Sequence, residues 1–280
     1  MKKISVVVPA YNATKYLRHT FYSVVCQTVA PCEIVVVDDC STDATLDVVR
    51  SWKILFKFPL KIITHEENMG IGVSRQDGAI AAKGDYVCFL SSDDVLHPKF
   101  IESSIPYLDG THGTFTDYWR CDELLKPTSP FVAPHFTNDG EFRILAINWA
   151  LQKNMFVNFS SVIIPKSFFK KVEFVPDLRH GEDLIFLLDT LIAGFSWRHI
   201  PKFLLSYRIH SQQGTALRNI KEWLLLWKYL KIRLQSLEVP MRRINQAYDV
   251  NKMLMSTQTP PVKRVLRRLR FLVRSVGLKI

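Results

Sequence analysis

The sequence predicts an α/β fold with a mostly parallel central sheet flanked by helices, followed by a helical C-terminal extension. Short β-branched runs alternate with stretches of helical apolar spacing over about the first 110 residues, which is typical of parallel βαβ units. Polar and acidic residues directly follow several of these runs. In open α/β sheets that edge binds ligands, so the same pattern that predicts the fold also predicts the place of the site.

The elements of the first half follow in regular order. Strands are predicted at residues 4–8, 33–37, 60–64 and 86–90, and helices at 14–26, after 41–43, at 72–82 and at 99–107. The Ser-Thr-Asp segment at 41–43 supplies residues that favour a helix start. The strands are apolar throughout, as expected when helices cover both faces of a sheet.

The second half is less regular. We expect a short strand at 113–116, a loop at 127–140 where Pro, Thr, Asn and Asp cluster, a strand at 157–164, a helix at 183–193, a strand at 203–208, and helices from 219 onward.

Charge and cysteine usage bear on the compartment. Residues 211–280 contain 15 Lys and Arg against three Asp and Glu, whereas residues 1–210 contain 22 against 23. The five cysteines have no CxxC spacing, which favours a reducing cytosol over a disulfide framework. The N-terminus has no signal-peptide pattern, and no uninterrupted apolar run reaches the roughly 18–20 residues that a span requires. We therefore expect a cytoplasmic protein, either soluble or attached to the inner face of the membrane.

The acid pair Asp93-Asp94 is the most informative feature of the chain, because it directly follows the apolar run at 86–90. Adjacent carboxylates repel each other and are kept together when a cation shares the site. Mg²⁺ is a common solution, and it usually brings phosphates with it. The alternative is a solvated turn that leads into the next helix, where Pro98 would occupy the first turn.

Three further segments follow predicted strands: Pro-Ala-Tyr-Asn at 9–12, Asp-Asp-Cys-Ser-Thr-Asp at 38–43, and Asn-Met-Gly at 68–70 with Arg75 shortly after. In a parallel sheet all of them face the same edge as the acid pair. Any single one could be local helix capping, Asp38 or Asp39 above all.

This ordered series resembles the family 2 glycosyltransferases, which share the Rossmann-like GT-A fold. The resemblance covers about residues 1–210 and rests on segments 7–12, 37–43, 68–75, 90–94 and 181–183. It implies inverting transfer of a hexosyl or N-acetylhexosaminyl group from a nucleotide-sugar, most commonly a UDP-sugar, to a hydroxyl of a glycan or glycolipid acceptor. It also implies Mg²⁺ or Mn²⁺ as cofactor and a place in surface polysaccharide or lipopolysaccharide synthesis.

The resemblance further divides the chain into a GT-A domain at 1–212, with a nucleotide-sugar-binding half at 1–117 and an acceptor-binding half at 118–212, and a basic helical extension at 213–280. It implies roles for nine residues: catalytic Asp183 with Glu182 beside it, donor-binding Pro9, Tyr11, Asp39, Arg75 and Asp93, and metal-binding Asp94 and His210.

Several of these roles have structural alternatives. Relatives often carry an acid where Ser91 stands, and this departure places the metal on Asp94, with Asp93 nearer the donor ribose. Arg75 could instead form a surface ion pair, and Tyr11 could simply pack beside its strand. Asp183 could be an acid favoured by the helix dipole, and His210 a satisfied residue at a strand end.

The C-terminal segment 260–276 predicts a basic amphipathic helix. Its apolar positions form one stripe, and Lys and Arg occupy most of the remainder: Val262, Val265, Leu266, Leu269, Leu272, Val273 and Val276 against Lys263, Arg264, Arg267, Arg268, Arg270 and Arg274. This pattern suits an anionic membrane surface. Packing on the catalytic body is the alternative, and nucleic acid is less favoured because phosphate contacts need no apolar stripe.

Two other functions compete with sugar transfer. A nucleotidyltransferase would also use nucleotides and paired acids, but residues 9–12 lack the Gly-rich basic loop expected after its first strand. A non-catalytic membrane-binding α/β protein would account for the basic tail and for Ser91.

Overall fold

The computed structural model describes residues 2–152, 154–213 and 220–256, so the helix predicted at 260–276 lies outside the described residues. The helices are α1 (Leu17–Val25), α2 (Thr45–Trp52), α3 (Ile71–Ala81), α4 (Phe100–Ser104), α5 (Asp139–Leu151), α6 (Glu182–Ile192), α7 (Ile220–Ser236) and α8 (Met241–Ser256). The strands are β1 (Ile4–Ala10), β2 (Glu33–Asp38), β3 (Leu60–Thr64), β4 (Tyr86–Phe89), β5 (Val95–Leu96), β6 (His112–Cys121), β7 (Pro127–Phe131), β8 (Ile163–Pro165) and β9 (Ser196–Arg208).

The described strands form one mixed sheet in the order β3-β2-β1-β4-β8-β6-β9-β5, with β7 paired to β6. The first four are parallel, as predicted. β8 is antiparallel to both β4 and β6, and β9 is parallel to β6. Since β6 and β9 therefore run in the same direction as β4, the carboxyl ends of β1–β4, β6 and β9 meet at one edge, whereas β5, β7 and β8 run the opposite way.

Helices cover both faces of the parallel half, and the central residues of β1, β2 and β4 are apolar and buried, whereas the edge strand β3 is only partly buried. Val6 and Val8 of β1 pack into a core cluster with Phe21 of α1 and Val49 of α2. Between them, Val7 faces α3, whose Gly78 lies so close that an added Cβ would be 2.3 Å from Val7 Cγ1. A side chain at position 78 would hold α3 away from the sheet.

The structure corrects the second half of the prediction. Segment 127–140 is not one loop, because Pro127–Phe131 forms β7 and α5 begins at Asp139. β7 pairs only with β6, and prolines are tolerated in such an edge strand because one side needs no ladder donors. The start of α5 is capped by Asn138, whose Oδ1 accepts the Glu141 N–H at 3.0 Å.

Three predicted strands also have different bounds. The segment predicted at 157–164 contains a 3₁₀ turn at Phe159–Ser161 before the short β8. β6 and β9 extend well beyond the predicted 113–116 and 203–208. Their pairing register shifts around Asp117, so that β9 accommodates extra residues and still reaches the functional edge.

The chain divides into two compact units, Met1–Glu238 and Val239–Ile280, the second described only as far as residue 256. The division falls later than the predicted boundary at 212, because α7 belongs to the first unit. Arg233 of α7 binds Asp189 of α6 through two hydrogen bonds of 2.9 and 3.1 Å. Among the described helices, none combines the length and apolar character needed to cross a bilayer.

Candidate active site

The two acids after β4 have different environments. Asp94 is fully buried, and its Oδ1 accepts the backbone N–H of Arg208 at 2.9 Å. Its Oδ2 has no hydrogen-bond partner among the described residues. Asp93 keeps 22% of its side chain exposed, and its Oδ2 lies 2.9 Å from Nε2 of His210. Of the pair, Asp93 is therefore the one that a ligand can reach.

β9 brings His210 to this edge. The N–H of Ile209 donates to the carbonyl of Cys121 at 2.9 Å, which fixes the chain just beyond the strand. The imidazole also packs on Tyr16, with ring centroids 4.6 Å apart. His210, predicted as a metal ligand together with Asp94, contacts Asp93 in the structure.

Arg208 donates hydrogen bonds to both Asp93 and Asp94. Besides the backbone bond to Asp94, its Nε donates to the carbonyl of Asp93 at 2.8 Å, and its guanidinium lies over the ring of Tyr16 at 4.5 Å. Nη1 also donates to the carbonyl of Glu123. This buried arginine was missed as a positioning residue, since no local pattern in β9 indicates contacts with residues more than 110 positions earlier.

Burial raises the pKa of Asp94 well above the usual carboxyl range, and the charge of Asp93 adds to this effect. The Ser160 hydroxyl and Arg208 act in the opposite direction. These surroundings disfavour the ionised form of the Asp94 carboxyl. In the structure this carboxyl accepts the backbone N–H of Arg208, the last residue of β9.

Asp93 and His210 fit a divalent cation that arrives with a diphosphate. Their 2.9 Å separation is close to the roughly 3 Å between neighbouring ligands of an octahedral ion bound at about 2.1 Å. Mg²⁺ is usually held by one or two protein side chains plus phosphates and water. No cluster of three or more His, Cys, Asp and Glu suited to a metal occurs in the described part of the chain.

Asp39 joins the ends of β2 and β3. Its carboxylate accepts the N–H groups of Met69 at 2.7 Å and Gly70 at 2.8 Å, and lies 2.7 Å from Nδ1 of His65. Asp38 instead accepts the N–H of Ser41 at 3.2 Å, which is a local turn bond. The predicted convergence of these two motifs is present, and neither Asp38 nor Asp39 caps α2, whose start has no side-chain cap.

Arg75 and Glu182 form a buried ion pair, with Nη1 and Oε1 2.6 Å apart and no more than 6% of either side chain exposed. The guanidinium also lies 5.4 Å from the ring centroid of Phe159. The acid is interior, so this is not the surface ion pair considered as the alternative. Burial, followed by the charge of Asp183, raises the pKa of Glu182 to about 7, while Arg75 opposes the rise.

Asp183 lies in the first turn of α6 and is only partly buried. Its Oδ1 accepts the N–H of its own neighbour Leu184 at 2.7 Å, which leaves Oδ2 without a partner among the described residues. This position is compatible with the alternative that Asp183 is an acid favoured by the dipole of α6. The accessible oxygen is also what a catalytic base requires.

Two contacts join the segment that carries Asp183 to α3 and to the loop between β3 and α3. One is the pair of Arg75 with Glu182 described above. The other is Arg179, whose guanidinium donates to both Oδ1 and the carbonyl of Asn68 at 2.8 Å. These contacts place the start of α6 beside the donor-side motifs.

The first motif lies where predicted. Pro9 is buried in β1 opposite Val37, and Tyr11 beyond the strand end is 49% exposed. Asn12 ties this loop to the next, since its Oδ1 accepts the N–H of Thr42 at 2.8 Å. A tyrosine with half its surface exposed offers a face for stacking and is not mainly a packing residue.

Position 91 forms part of a hydroxyl pair. Ser160 Oγ donates to Ser91 Oγ at 2.8 Å, and the Ser91 N–H donates to Ser160 Oγ at 3.2 Å. The structure thus uses this residue to attach the end of β4 to the 3₁₀ turn at Phe159–Ser161. Ser160 was missed because an isolated serine has no spacing pattern, and His65 was missed although it directly follows the predicted strand at 60–64.

Carboxylates and an imidazole thus lie at the carboxyl edge of the sheet, where open α/β sheets bind ligands, and Asp183 lies in the first turn of α6. The chain belongs to glycosyl transferase family 2, whose model matches residues 5–172. TuaG of Bacillus subtilis, named for teichuronic acid biosynthesis, is 30% identical over 209 residues, which are 74% of this chain and 79% of TuaG.

TarS of Staphylococcus aureus, a poly(ribitol-phosphate) β-N-acetylglucosaminyltransferase, is 36% identical over 115 residues, 40% of this chain and 20% of TarS. The crystal structure of TarS 1–349 in complex with UDP matches with a TM-score of 0.65 and 22% identity over 88% of this chain and 69% of that chain. This likeness confirms the predicted GT-A fold. Family membership confirms that the chain is a glycosyltransferase and decides against the nucleotidyltransferase and non-catalytic alternatives.

Proposed function

We propose that this chain is an inverting, metal-dependent glycosyltransferase that moves a sugar from a UDP-sugar to a hydroxyl of a glycan or lipid-linked acceptor. The observation that carries the proposal is the contact between Asp93 and His210 at the strand-end edge. The names of TuaG and TarS support a place in cell-surface polysaccharide synthesis. Solved TarS structures contain UDP and UDP-GlcNAc, which supports a uridine donor and a hexosyl or N-acetylhexosaminyl group.

Asp93 and His210 would hold Mg²⁺ or Mn²⁺ against the donor diphosphate. A bound ion supplies positive charge that stabilises the nucleoside diphosphate as it leaves. The metal role expected for Asp94 thus passes to Asp93, because Asp94 is buried and occupied by the backbone of Arg208.

The donor nucleoside would lie between the loops that follow β1 and β2. The exposed ring of Tyr11 offers a stacking surface, and the Asp39 carboxylate accepts hydrogen bonds from a base. Pro9 shapes the strand end from its buried position. Arg75 is paired with Glu182 in this structure. To bind the base, its guanidinium would either donate to the base while it stays paired with Glu182, or exchange Glu182 for the base.

Asp183 is the proposed catalytic base. The acceptor oxygen attacks the anomeric carbon from the face opposite the diphosphate, and its proton passes to the Asp183 carboxylate. The new carbon–oxygen bond forms as the bond to the diphosphate breaks, so the anomeric configuration inverts. A positioned carboxylate typically contributes about 10²–10⁴-fold to such a step. Glu182, buried against Arg75, positions Asp183 and does not itself reach the acceptor.

The C-terminal segment is proposed to bind the anionic inner face of the membrane, where a lipid-linked acceptor would be available. The basic and apolar pattern of residues 260–276 supports this location. The enzyme would then be cytoplasmic and peripheral.

A donor panel tests the function. Purified protein is incubated with UDP-, GDP- and CDP-sugars, with Mn²⁺ or with EDTA, and release of the nucleoside diphosphate is measured by chromatography. We expect slow hydrolysis of a UDP-sugar that EDTA abolishes. Metal-independent turnover, or turnover of only a non-uridine donor, would contradict the proposed cofactor or donor.

A further inference from the structure

His65 lies directly after β3 and contacts two carboxylates. Its Nδ1 is 2.7 Å from Oδ1 of Asp39, and its Nε2 is 3.1 Å from Oδ2 of Asp77 on α3. Only 9% of the side chain is exposed. The proposed mechanism has no use for this histidine, yet its partner Asp39 is the residue proposed to contact the nucleobase.

The hydrogen bonds of Asp39 determine which nitrogen of His65 donates. Both carboxylate oxygens already accept a backbone N–H, Oδ1 from Met69 and Oδ2 from Gly70, so Asp39 acts as an acceptor on both sides. The Nδ1 of His65 must therefore donate to it. A neutral imidazole would then turn a lone pair toward Asp77, whereas an imidazolium donates to both acids.

These contacts leave Asp39 with little remaining freedom. Oδ1 accepts two hydrogen bonds and Oδ2 one, so the carboxylate plane is fixed and one acceptor position on Oδ2 is left. That position suits a base that presents a ring N–H, such as uracil. It does not suit cytosine, whose corresponding ring nitrogen is an acceptor.

Asp77 anchors this arrangement from outside. Its side chain is 43% exposed, and within the described residues His65 is its only side-chain contact. It follows Arg75 by two positions, so α3 carries both the buried guanidinium and the anchor for His65.

We propose that His65, held by Asp77, is a positioning residue that orients the Asp39 carboxylate for recognition of a base with a ring N–H. This inference rests on the proposed function, because it assigns a nucleotide to the loop that Asp39 closes. It gives His65 and Asp77 a role in selecting the donor nucleotide, although neither side chain contacts the donor.

The experiment measures binding of UDP and CDP, each with Mn²⁺, by isothermal titration calorimetry. His65→Leu removes the donor to Asp39, and we expect UDP binding to weaken about tenfold or more, as for loss of a hydrogen bond to a charged group. His65→Asn keeps an N–H near the position of Nδ1 and is expected to stay within about threefold of wild type. Binding of CDP should change little, so the preference for UDP falls in the leucine variant only.

Asp77→Asn is the second variant, in case His65→Leu fails to fold. The side chain of Asp77 is nearly half exposed, so replacing it should leave the fold intact. We expect the KM for the donor to rise about threefold to tenfold with kcat within about twofold, because positioning acts on binding. The matched control is Asp47→Asn on α2, an acid that is 80% exposed and paired only with Arg50, and it should leave both constants unchanged.

Wild-type UDP affinity in a folded His65→Leu protein, or an Asp77→Asn protein indistinguishable from Asp47→Asn, would overturn the inference. Equal weakening of UDP and CDP would also overturn it, because that is general damage to the site. If the wild-type protein binds no UDP in the presence of Mn²⁺, the proposed donor is wrong, and this failure is seen before any variant is compared.

Discussion

Replacing Glu182 by Gln tests the electrostatics of the ion pair beneath the proposed base. The pKa of this carboxyl is about 7 in the folded protein against 4.5 for an ordinary glutamate, because burial and Asp183 oppose its charge more than Arg75 favours it. An acid whose folded-state pKa is raised holds its proton more tightly in the folded chain. Its contribution to stability is therefore present below about pH 4.5 and lost as the pH rises through about 7.

The size of this loss follows from the shift. One pKa unit corresponds to about 1.4 kcal/mol, so a rise from 4.5 to about 7 gives a change on the order of 3 kcal/mol in the free energy of unfolding. Glutamine has the same shape and cannot ionise, so the variant lacks this dependence. The attraction between Arg75 and the ionised carboxyl is already part of this pKa, so it changes with the same titration.

Urea denaturation of both proteins between about pH 5 and about pH 8 measures the effect. We expect the wild type to lose about 2–3 kcal/mol relative to Glu182→Gln across that range, because part of the full loss already occurs below about pH 5. Glu173→Gln, which alters an exposed acid, is the control and should keep a constant difference. A pH-independent difference for Glu182→Gln, or a wild type that gains stability relative to it as the pH rises, would show that Arg75 keeps the carboxyl ionised and would refute the reasoning.

Three further predictions follow from the site and the fold. Asp183→Asn should lower transfer by about 10²-fold or more while the Kd for UDP stays within about twofold, and near-normal turnover would exclude it as the base. Gly78→Ala should cost about 1–3 kcal/mol in urea denaturation, because its Cβ would lie 2.3 Å from Val7 Cγ1; unchanged stability would mean that α3 can shift freely. A chain ending at residue 256 should lose sedimentation with anionic liposomes, and retained sedimentation would show that residues 257–280 are not the membrane contact.

The parallel half of the fold could be predicted because its strands are buried on both faces and its polar residues mark where each strand ends. The run at 86–90 and the acids after it illustrate this. The later strands could not be placed in the same way. β7 contains two prolines and resembles a loop, and only its edge position beside β6 makes it a strand.

The structure shows contacts among the predicted site residues, whereas the roles assigned to them stay predictions. Asp93 and Asp94 are equivalent in the sequence, and what distinguishes them is Arg208, which arrives from β9 more than 110 residues later. Arg75 and Glu182 were expected on opposite sides of the reaction, yet they form one buried pair. His65 follows a predicted strand as the other motifs do, so strand position alone would have indicated it.

The central claim is that Asp93 and His210 hold a divalent cation against the donor diphosphate. Electron paramagnetic resonance of Mn²⁺, in which the signal of the free ion falls on binding, tests it directly when the protein is titrated with and without UDP. We predict that wild-type protein takes up Mn²⁺ strongly only when UDP is present, and that Asp93→Asn takes up little under either condition. Uptake by Asp93→Asn equal to that of the wild type in the presence of UDP would contradict the claim.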